Sequence, residues 1–478
     1  MPPRPTFIRG ADLAAPLRAL RAELKVPDGF APEVLAAADA ARDAWSHADR
    51  LDATDLPLVT LDPAGSQDLD QAFAIAPLGA GYRFHYAIAN VAAFVPPDGP
   101  LAATARDRGE TLYLPDGRAP VYPLSLSEGA ASLLPDGERP AVLWRLDLDA
   151  TGEPTEIDVR RAVVRSRAQL NYDTFGDADP SLVEGLRRVG ELRLERERER
   201  GGVSLNVPEQ LVVRDGDGWS LEYRETAPAE GWNAQLSLLV GMAAARLMVH
   251  AKVGLLRTMP APWHRRVEAL HRSAVALGVA RPPGTAYAEI IRSLDPARPN
   301  EAAMLRLAAS LFRGAGYVAF DGTLPGQIRH AAVAAPYAHA TAPLRRLGDR
   351  FVSELCLAIS AKRPVPEWAR QGLPALPHLM AVADQRAHAV DHAVIDLAET
   401  VLLQDRVGEV FDAVVVEAED DHGEIQVINP PVKTKIAGTD LPLGHEIRAR
   451  LEHADVTTRK LTFSIEVGSH PDGRVFRL

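Results

Sequence analysis

The first 50 residues carry apolar side chains at the spacing of an α-helix. Leucines at positions 13, 17, 20 and 24 recur every three or four residues, which predicts a helix over residues 11–25 with one apolar face. A Pro-Asp-Gly sequence then breaks the chain, and an alanine-rich stretch predicts a second helix over residues 32–48. Two short helices around a turn fit either a small helix-turn-helix unit or an arm that packs on the main body, and the pattern favours neither.

Residues 56–165 show the two-residue alternation that is typical of half-buried strands. In the run 82–88, tyrosine, phenylalanine and isoleucine alternate with arginine, histidine and alanine, which predicts a strand with one buried face. The apolar run 56–61 and the alternating run 142–148 predict two more strands. From residue 180 to residue 405 the apolar spacing becomes mainly helical.

Beyond residue 405 the chain returns to short strands. Apolar and polar residues alternate in four runs, 407–416, 424–428, 445–451 and 460–466. Short strands at this spacing fit a small five-stranded barrel of the OB type. The whole pattern predicts an α+β multidomain protein, with a helical region over residues 1–50, an α/β body over 51–404 and an OB-fold over 405–478.

The composition is that of an ordinary globular protein, with 46% of the 478 residues apolar and 24% charged. No segment resembles a membrane span of ~20 apolar residues. No apolar run follows the N-terminus as a secretory signal requires, so we expect no membrane association. Cys356 is the only cysteine, which excludes a disulfide within the chain and a cysteine-based zinc site. A cytoplasmic setting is therefore expected.

The formal net charge is −11, which argues against a surface built to bind duplex DNA. It does not exclude nucleic acid in a local basic channel. The runs 160–167 and 252–272 are both locally basic. Solvated charge is the usual meaning of such runs, so the charge pattern alone does not identify a binding site.

A compact group of acids follows the first predicted strand. Asp62, Asp68 and Asp70 lie within nine residues, and carboxylates this close raise each other's pKa unless a positive charge intervenes. A divalent cation such as Mg²⁺ or Mn²⁺ prefers hard oxygen ligands of this kind. The alternative is a turn whose aspartates bond the nearby backbone or cap a helix. The spacing does not match an EF-hand loop.

Four segments in this order resemble the ribonuclease II (RNB) family. The first contains the aspartate loop and the Ala-Ile-Ala-Asn-Val-Ala-Ala-Phe-Val run at 87–95. The second and third are residues 108–115 and 121–127. The fourth, residues 337–349, resembles the family's Tyr-x-x-x-Thr-Ser/Ala-Pro-Ile/Leu-Arg-x-x-x-Asp signature. The predicted C-terminal barrel resembles the S1-type RNA-binding domain that family members carry in the same place.

The resemblance implies an RNB-type α/β catalytic domain, an S1-type OB-fold and a hydrolytic 3′-to-5′ exoribonuclease that degrades single-stranded RNA to nucleoside 5′-monophosphates. It implies that Asp62, Asp68 and Asp70 hold Mg²⁺ or Mn²⁺, with two ions during catalysis. Arg345 matches the family's catalytic arginine, which faces the scissile phosphate. A planar guanidinium suits the negative charge that grows on the phosphoryl oxygens during the reaction. The alternative for Arg345 is a structural ion pair with Asp349.

Four further positions are expected to contact RNA. Tyr113 matches the tyrosine that packs near the terminal nucleotide, with a core aromatic as the alternative. Arg257 belongs to the second basic run. Leu255 stands closest to a phenylalanine that stacks on a base, although an aliphatic side chain holds a base less well than an aromatic ring. Asp391 stands nearest to a glutamate that family members carry on a helix before the barrel.

The chain also departs from the family pattern. Gln71 and Asn90 stand where the family usually has aspartates, so we expect weaker metal binding at one of the two ion positions. The helical region is too short for the two cold-shock domains with which bacterial members begin. Two alternatives to the exonuclease stay open: a catalytically impaired RNA-binding relative and a metal-dependent phosphodiesterase of small nucleotides. We expect a monomer whose partner is single-stranded RNA.

Overall fold

The computed structural model describes residues 6–8, 10–205, 209–224, 226–279, 282, 284–295, 298–430 and 432–466. The last twelve residues of the predicted OB-fold, 467–478, therefore lie outside the described residues. The N-terminal region contains β1 (Thr6–Ile8), α1 (Gly10–Glu23) and α2 (Pro32–Ala41). The second helix is shorter than the predicted 32–48.

Five strands within residues 51–171 form a closed barrel. The alternation in the sequence predicted strands here, but it did not predict that they close into a barrel. The elements of this region are β2 (Leu51–Asp62), β3 (Gln71–Leu78), β4 (Gly81–Ala89), α3 (Pro100–Arg108), β5 (Leu112–Leu114), β6 (Gly117–Ala119), β7 (Glu138–Leu148) and β8 (Pro154–Asn171). The barrel order is β2-β3-β4-β7-β8, and parallel pairing of β2 with β8 closes it. Phe84 and Tyr86 are fully buried, as the alternation predicts.

The chain between the barrel and residue 403 is mainly helical, as expected. Its elements are α4 (Pro180–Arg200), β9 (Glu209–Asp215), β10 (Gly218–Arg224), α5 (Pro228–Ala251), β11 (Val253–Thr258), α6 (His264–Ala276), α7 (Tyr287–Arg292), α8 (Pro299–Ala309), β12 (Gly316–Asp321), β13 (Arg329–His330), β14 (Ala335–Pro336), α9 (Leu347–Ser360), α10 (Glu367–Gly372) and α11 (Leu376–Leu403). The strands form three antiparallel pairs, β9–β10, β11–β12 and β13–β14, and helices α6–α8 lie between β11 and β12 in the chain.

Helix α5 differs from the expectation that no segment could span a membrane. By length and composition alone it is long and apolar enough to do so. It packs against α4 and α9, and its residues Leu236, Leu239 and Val240 are buried in the main hydrophobic core. The contacts of the helix are those of the central helix of a folded domain.

The C-terminal region confirms the predicted five-stranded barrel. Its strands are β15 (Val410–Ala418), β16 (His422–Val427), β17 (Lys433–Ala437), β18 (Glu446–Asp455) and β19 (Lys460–Ile465). They close in the order β15-β16-β17-β19-β18. The short strand β17 is the one that the sequence pattern did not indicate, because its Lys-Thr-Lys sequence shows little apolar alternation.

The two N-terminal helices belong to different cores. Leu13 and Leu17 of α1 are buried in a second hydrophobic cluster with residues of α11 and the C-terminal barrel. Val34 and Ala38 of α2 join the main core instead, where α2 packs on α3. Strand β1 extends the β9–β10 hairpin by pairing with β10. This region is therefore a packing arm, and its helices do not form one helix-turn-helix unit.

Candidate functional site

The three predicted acids lie at one end of the first barrel because two neighbouring strands meet there. Asp62 is the last residue of β2, and Asp70 directly precedes β3. The loop between them is fixed by the backbone carbonyl of Asp70, which accepts a hydrogen bond of 2.8 Å from the N–H of Ala89. The charge of Asp68 acts on both of the other carboxyls and raises their pKa. The loop thus brings all three acids together.

Asp70 joins this loop to the segment before α9. Its side chain is 2% exposed. One carboxylate oxygen accepts a hydrogen bond of 2.7 Å from the backbone N–H of Leu344, and the other lies 3.3 Å from Nε of Arg345. Burial raises the pKa of Asp70 to about 8, although Arg345 opposes the shift. The ionised form of Asp70 therefore lacks sufficient positive charge around it.

Asp62 offers an unpaired oxygen. Its Oδ2 is buried, and among the described residues it has no hydrogen-bond partner. Burial raises the pKa of Asp62 to about 6, again opposed by Arg345 and reinforced by Asp68. A buried carboxylate oxygen without a donor is costly unless a cation or water meets it.

Asp68 is turned toward the β5–β6 hairpin. Its Oδ2 accepts a hydrogen bond of 3.1 Å from the hydroxyl of Tyr113, and its Oδ1 lies 3.5 Å from Nη1 of Arg118. Arg118 also pairs with Glu128. The sequence analysis missed Arg118. Arg118 pairs with Tyr113 across the β5–β6 hairpin, so a prediction of this hairpin would have placed Arg118 beside Tyr113.

The carboxylate oxygens of the three acids are ligands that suit a hard divalent cation. Their arrangement in the structure is not that of a complete coordination site. Among the side chains that the structure describes, no group of three His, Cys, Asp or Glu is arranged to hold a metal ion. Asp68 bonds Tyr113, and Asp70 bonds Leu344, so neither carboxylate is aimed at a common point with Asp62. The unpaired oxygen of Asp62 and the raised pKa of two acids nevertheless match a site that a cation would stabilise.

The side chain of Gln71 is hydrogen-bonded to a residue of the barrel. Its Oε1 accepts a hydrogen bond of 2.8 Å from the hydroxyl of the buried Tyr86. The pKa of that hydroxyl is raised by burial first and also by the charges of Asp62 and Asp70, which places the Gln71 amide beside the acids. Position 71 therefore places a neutral amide beside Asp62 and Asp70, where an aspartate would place a further carboxylate.

Arg345 and Arg346 have separate tasks. Arg345 lies beside Asp70, and 44% of its side chain is exposed. Arg346 makes two hydrogen bonds of 2.9 and 3.0 Å to the carboxylate of Asp349, which also accepts from the N–H of Ala342. The predicted alternative, a structural pair of Arg345 with Asp349, is wrong because Arg346 fills that role. Arg345 keeps a free face toward the site.

The predicted RNA-contacting residues on β11 and α11 fall in different places. Arg257 is 12% exposed in its side chain, pairs with Asp384 at 2.6 Å, and lies 4.5 Å above the ring of Tyr317. Asp391 is exposed on α11, seven residues beyond Asp384. Seven residues of a helix span about 10 Å. The acid of α11 that pairs with Arg257 is Asp384, and the RNA contact expected at Asp391 stays a prediction.

Leu255 and Tyr113 differ in their access to a base. Leu255 is 2% exposed in the main core, and a base cannot stack on a side chain with so little free surface. Tyr113 is 45% exposed, so its ring is open to a ligand while its hydroxyl bonds Asp68. The core alternative for Tyr113 is excluded by this exposure.

Asn90 lies outside the acidic group. Its side chain lines a separate cavity with Arg50, Arg161 and Arg350, and its backbone N–H donates to the carbonyl of Pro140 at 3.1 Å. The expectation that this asparagine removes charge from the metal site is therefore not supported by its surroundings. An aspartate at position 90 would place its negative charge beside the arginines of this cavity.

Comparisons with known proteins place this geometry in a family. The chain matches the RNB domain over residues 50–361 and the RNase II-type exonuclease C-terminal S1 domain over residues 409–466. It is 26% identical over 473 residues to ribonuclease R of Escherichia coli, an alignment that covers 87% of this chain and 57% of that protein. The chain thus spans little more than half the length of this relative. Ribonucleases of the family are hydrolases that generally need divalent metal ions.

Solved structures show the same fold at low sequence identity. Mycoplasma genitalium RNase R in complex with ribose methylated single-stranded RNA aligns with a TM-score of 0.84 and 18% identity, covering 95% of this chain and 78% of that one. Yeast Ssd1, a pseudonuclease, aligns with a TM-score of 0.65 and 17% identity, covering 86% of this chain and 52% of that one. Because the domain match covers most of the chain and includes the acidic loop and Arg345, the chain belongs to the RNB-domain family, with a C-terminal S1 domain of the RNase II type.

Proposed function

We propose that the chain is a hydrolytic 3′-to-5′ exoribonuclease that degrades single-stranded RNA to nucleoside 5′-monophosphates. The observation that carries the proposal is the group of three acids at the end of the barrel, of which Asp70 is buried and lies 3.3 Å from the partly exposed side chain of Arg345. Its relatives include proteins named ribonuclease R. Acids that gather metal and an arginine that faces outward supply the two needs of phosphodiester hydrolysis.

Asp62, Asp68 and Asp70 would hold Mg²⁺ or Mn²⁺, with two ions during catalysis. Such ions, when bound, activate a water molecule and stabilise the departing 3′ oxygen. Arg345 would bind the non-bridging oxygens of the scissile phosphate, because its exposed face leaves donors free. Asp70 positions this arginine through their contact of 3.3 Å, and Tyr113 would stack on the terminal nucleotide through its exposed ring.

RNA would approach along a path that includes Arg257 and the C-terminal barrel. The Arg257 guanidinium is already paired with Asp384, so it would contribute orientation more than net charge. The S1-type barrel is of the class that binds single strands through stacking and a basic groove. A monomer in the cytoplasm is the setting that we propose for this activity.

A catalytically impaired RNA-binding relative is the second candidate, and two observations favour it. Among the described side chains the acids are not arranged around one metal, and Gln71 places a neutral amide beside them. The same fold occurs in a pseudonuclease. The acids and Arg345 that remain argue for catalysis, and the experiment below separates the two candidates.

The test is incubation of a 5′-labelled single-stranded RNA with the protein and increasing Mg²⁺ or Mn²⁺. The exonuclease predicts a ladder that shortens from the 3′ end, together with nucleoside 5′-monophosphates identified by chromatography. A DNA strand of the same sequence and the Asp70→Asn variant are the controls. Tight binding of RNA without cleavage at any metal concentration would establish the impaired relative instead. Cleavage of dinucleotides alone, with affinity independent of RNA length, would indicate a phosphodiesterase of small nucleotides.

A further inference from the structure

A polar cavity of about 200 Å³ lies beside the acidic group and has no part in the proposed chemistry. It is bordered by the segment that follows β4, by β8, and by helices α9 and α10. The residues that line it are Arg50, Asn90, Ala92, Ala93, Val95, Pro97, Arg161, Arg350, Glu354 and Trp368. One water molecule occupies about 30 Å³ in the liquid, so the cavity has room for a solute larger than water.

Positive charge exceeds negative charge in this cavity. Three arginines line it, whereas Glu354 is the single acid among the lining residues and already pairs with Arg161. Arg350 uses one nitrogen to donate to the carbonyl of Val95 at 2.6 Å. Arg50 donates through Nε to the carbonyl of Ser46 at 2.9 Å. Both of these hydrogen-bond partners are neutral, and Arg350 also lies 4.9 Å from the centre of the Trp368 ring. The charge of Glu354 acts on Arg50 and Arg350 as well as on Arg161, so one carboxylate faces three guanidiniums.

Several donors of the lining residues have no acceptor. Nε of Arg350, Nη1 of Arg50 and Nδ2 of Asn90 are buried and lack a hydrogen-bond partner among the described residues. Arg350 and Asn90 are each 3% exposed. Oε1 of Glu354 is the one buried acceptor of the lining residues that also lacks a partner among the described residues. Buried donors are rarely left unsatisfied in folded proteins, and here three unpaired donors exceed this single acceptor.

The electrostatics agree with this count. Burial lowers the pKa of Arg50, and the neighbouring charge of Arg161 lowers it further. Burial also lowers the pKa of Arg350. Each guanidinium is therefore held in surroundings that disfavour its charge, and a bound anion would relieve both.

A second arginine-lined cavity provides the contrast. It contains Arg83, Arg145 and Arg160. Each of these is matched by its own acid, and the pairs are Arg83 with Asp147, Arg145 with Glu156, and Arg160 with Asp158. Each arginine of this second cavity therefore has its own carboxylate. In the cavity around Asn90 three arginines face one carboxylate.

We propose that this cavity binds a phosphate group, either as inorganic phosphate or as the terminal group of a nucleoside 5′-monophosphate. A tetrahedral oxyanion offers acceptor oxygens to several guanidinium forks at once. Asn90 makes binding possible because a neutral donor at this position leaves the arginines free, whereas a carboxylate there would pair with them. The site is independent of the proposed cleavage reaction.

The test compares phosphate binding to the full-length protein and to Asn90→Asp, a substitution that keeps the shape of the side chain. Calorimetric titration with inorganic phosphate should give saturable binding to the wild type and at least a tenfold weaker affinity for Asn90→Asp. Arg350→Met should weaken binding to a similar extent. Arg160→Met, in the charge-balanced cavity, is the control and should bind as the wild type does. Uridine 5′-monophosphate, titrated in parallel, distinguishes the two sources of the phosphate group.

Arg345→Ala identifies binding in the catalytic site. If Arg345→Ala abolishes phosphate binding while Asn90→Asp and Arg350→Met retain it, the phosphate occupies the acidic site and the proposal is overturned. An absence of saturable binding to the wild type, for both phosphate and the monophosphate, would overturn it equally. Asn90→Asp adds a negative charge beside the arginines, so its melting temperature measured without phosphate should be higher than that of the wild type. A loss of phosphate binding in this variant then does not result from misfolding.

Discussion

Replacement of Asp70 by asparagine separates the chemical role of this residue from its structural role. The asparagine keeps an oxygen that can accept the hydrogen bond from Leu344, which measures 2.7 Å in the structure. It removes the charge that faces Arg345. Because 44% of the Arg345 side chain is exposed, water can solvate the guanidinium after the change. The fold should therefore survive, while the metal site loses a carboxylate.

The expected effects follow from the position of this carboxylate. Metal ions contribute several kcal/mol to stabilisation of charge in the transition state. Each ~1.4 kcal/mol changes the rate tenfold, so we expect turnover to fall by about 10²- to 10⁴-fold. Folding stability should not fall with it. Burial raises the pKa of Asp70 from 3.8 to about 8, so its ionised form destabilises the metal-free fold as the pH rises through that range.

The assay is single-turnover cleavage of a labelled single-stranded RNA, with the dissociation constant measured by filter binding for the same protein. Asp147→Asn is the matched control, because Asp147 is also buried and also pairs with an arginine, at 2.7 Å on the first barrel. The control should lose stability and keep its turnover. If Asp70→Asn retained more than about a tenth of wild-type turnover, a barrier change below ~1.4 kcal/mol, the assignment of Asp70 to the metal would be refuted.

Three further substitutions test other parts of the structure. Arg345→Lys keeps the charge and removes the guanidinium fork, so turnover should fall at least tenfold with little change in melting temperature; unchanged turnover would contradict the phosphate contact. Leu17→Ala, in the second core, should lower the free energy of unfolding in urea by ~2–5 kcal/mol, and a loss below ~1 kcal/mol would contradict the packing arm. Burial raises the pKa of Glu399 from 4.5 to about 8, so the wild type should lose stability as the pH rises between these values. Glu399→Gln should flatten that decline in urea titrations, and a decline of unchanged steepness would assign it to other groups.

The sequence predicted the parts of the fold that depend on local periodicity. Alternation along residues 82–88 indicated the buried face of β4, and the short strands after residue 405 indicated the second barrel. Closure of the first barrel depends on parallel pairing between β2 and β8, which are separated by about a hundred residues. Periodicity reports the faces of a strand and carries no information on such partners.

The same limit applies to the site. The acids and Arg345 could be found from their motifs, because each motif is a short continuous segment, residues 62–70 for the acids and 337–349 for Arg345. The pair of Arg257 with Asp384 joins β11 to α11 across 127 residues, and the sequence pattern did not indicate it. Similarly, Asn90 was expected near the metal site because the family usually has an aspartate at this position, whereas in the structure it lines the arginine cavity. Contacts that involve long side chains from distant elements require the folded structure.

Two neighbouring groups of charged side chains near the end of the first barrel are incompletely paired. At the end of the first barrel Oδ2 of Asp62 has no hydrogen-bond partner among the described residues, and burial raises the pKa of Asp70 to about 8 although Arg345 lies 3.3 Å away. In the cavity that Asn90 lines, Arg50, Arg161 and Arg350 share the single carboxylate of Glu354, so positive charge is in excess. The two groups lie on either side of the junction where the N–H of Ala89 bonds the carbonyl of Asp70, yet their side chains do not neutralise each other. The two proposals made above, a cation at the acids and an anion at the arginines, both rest on this incomplete pairing, because a ligand of opposite charge would complete it in each place.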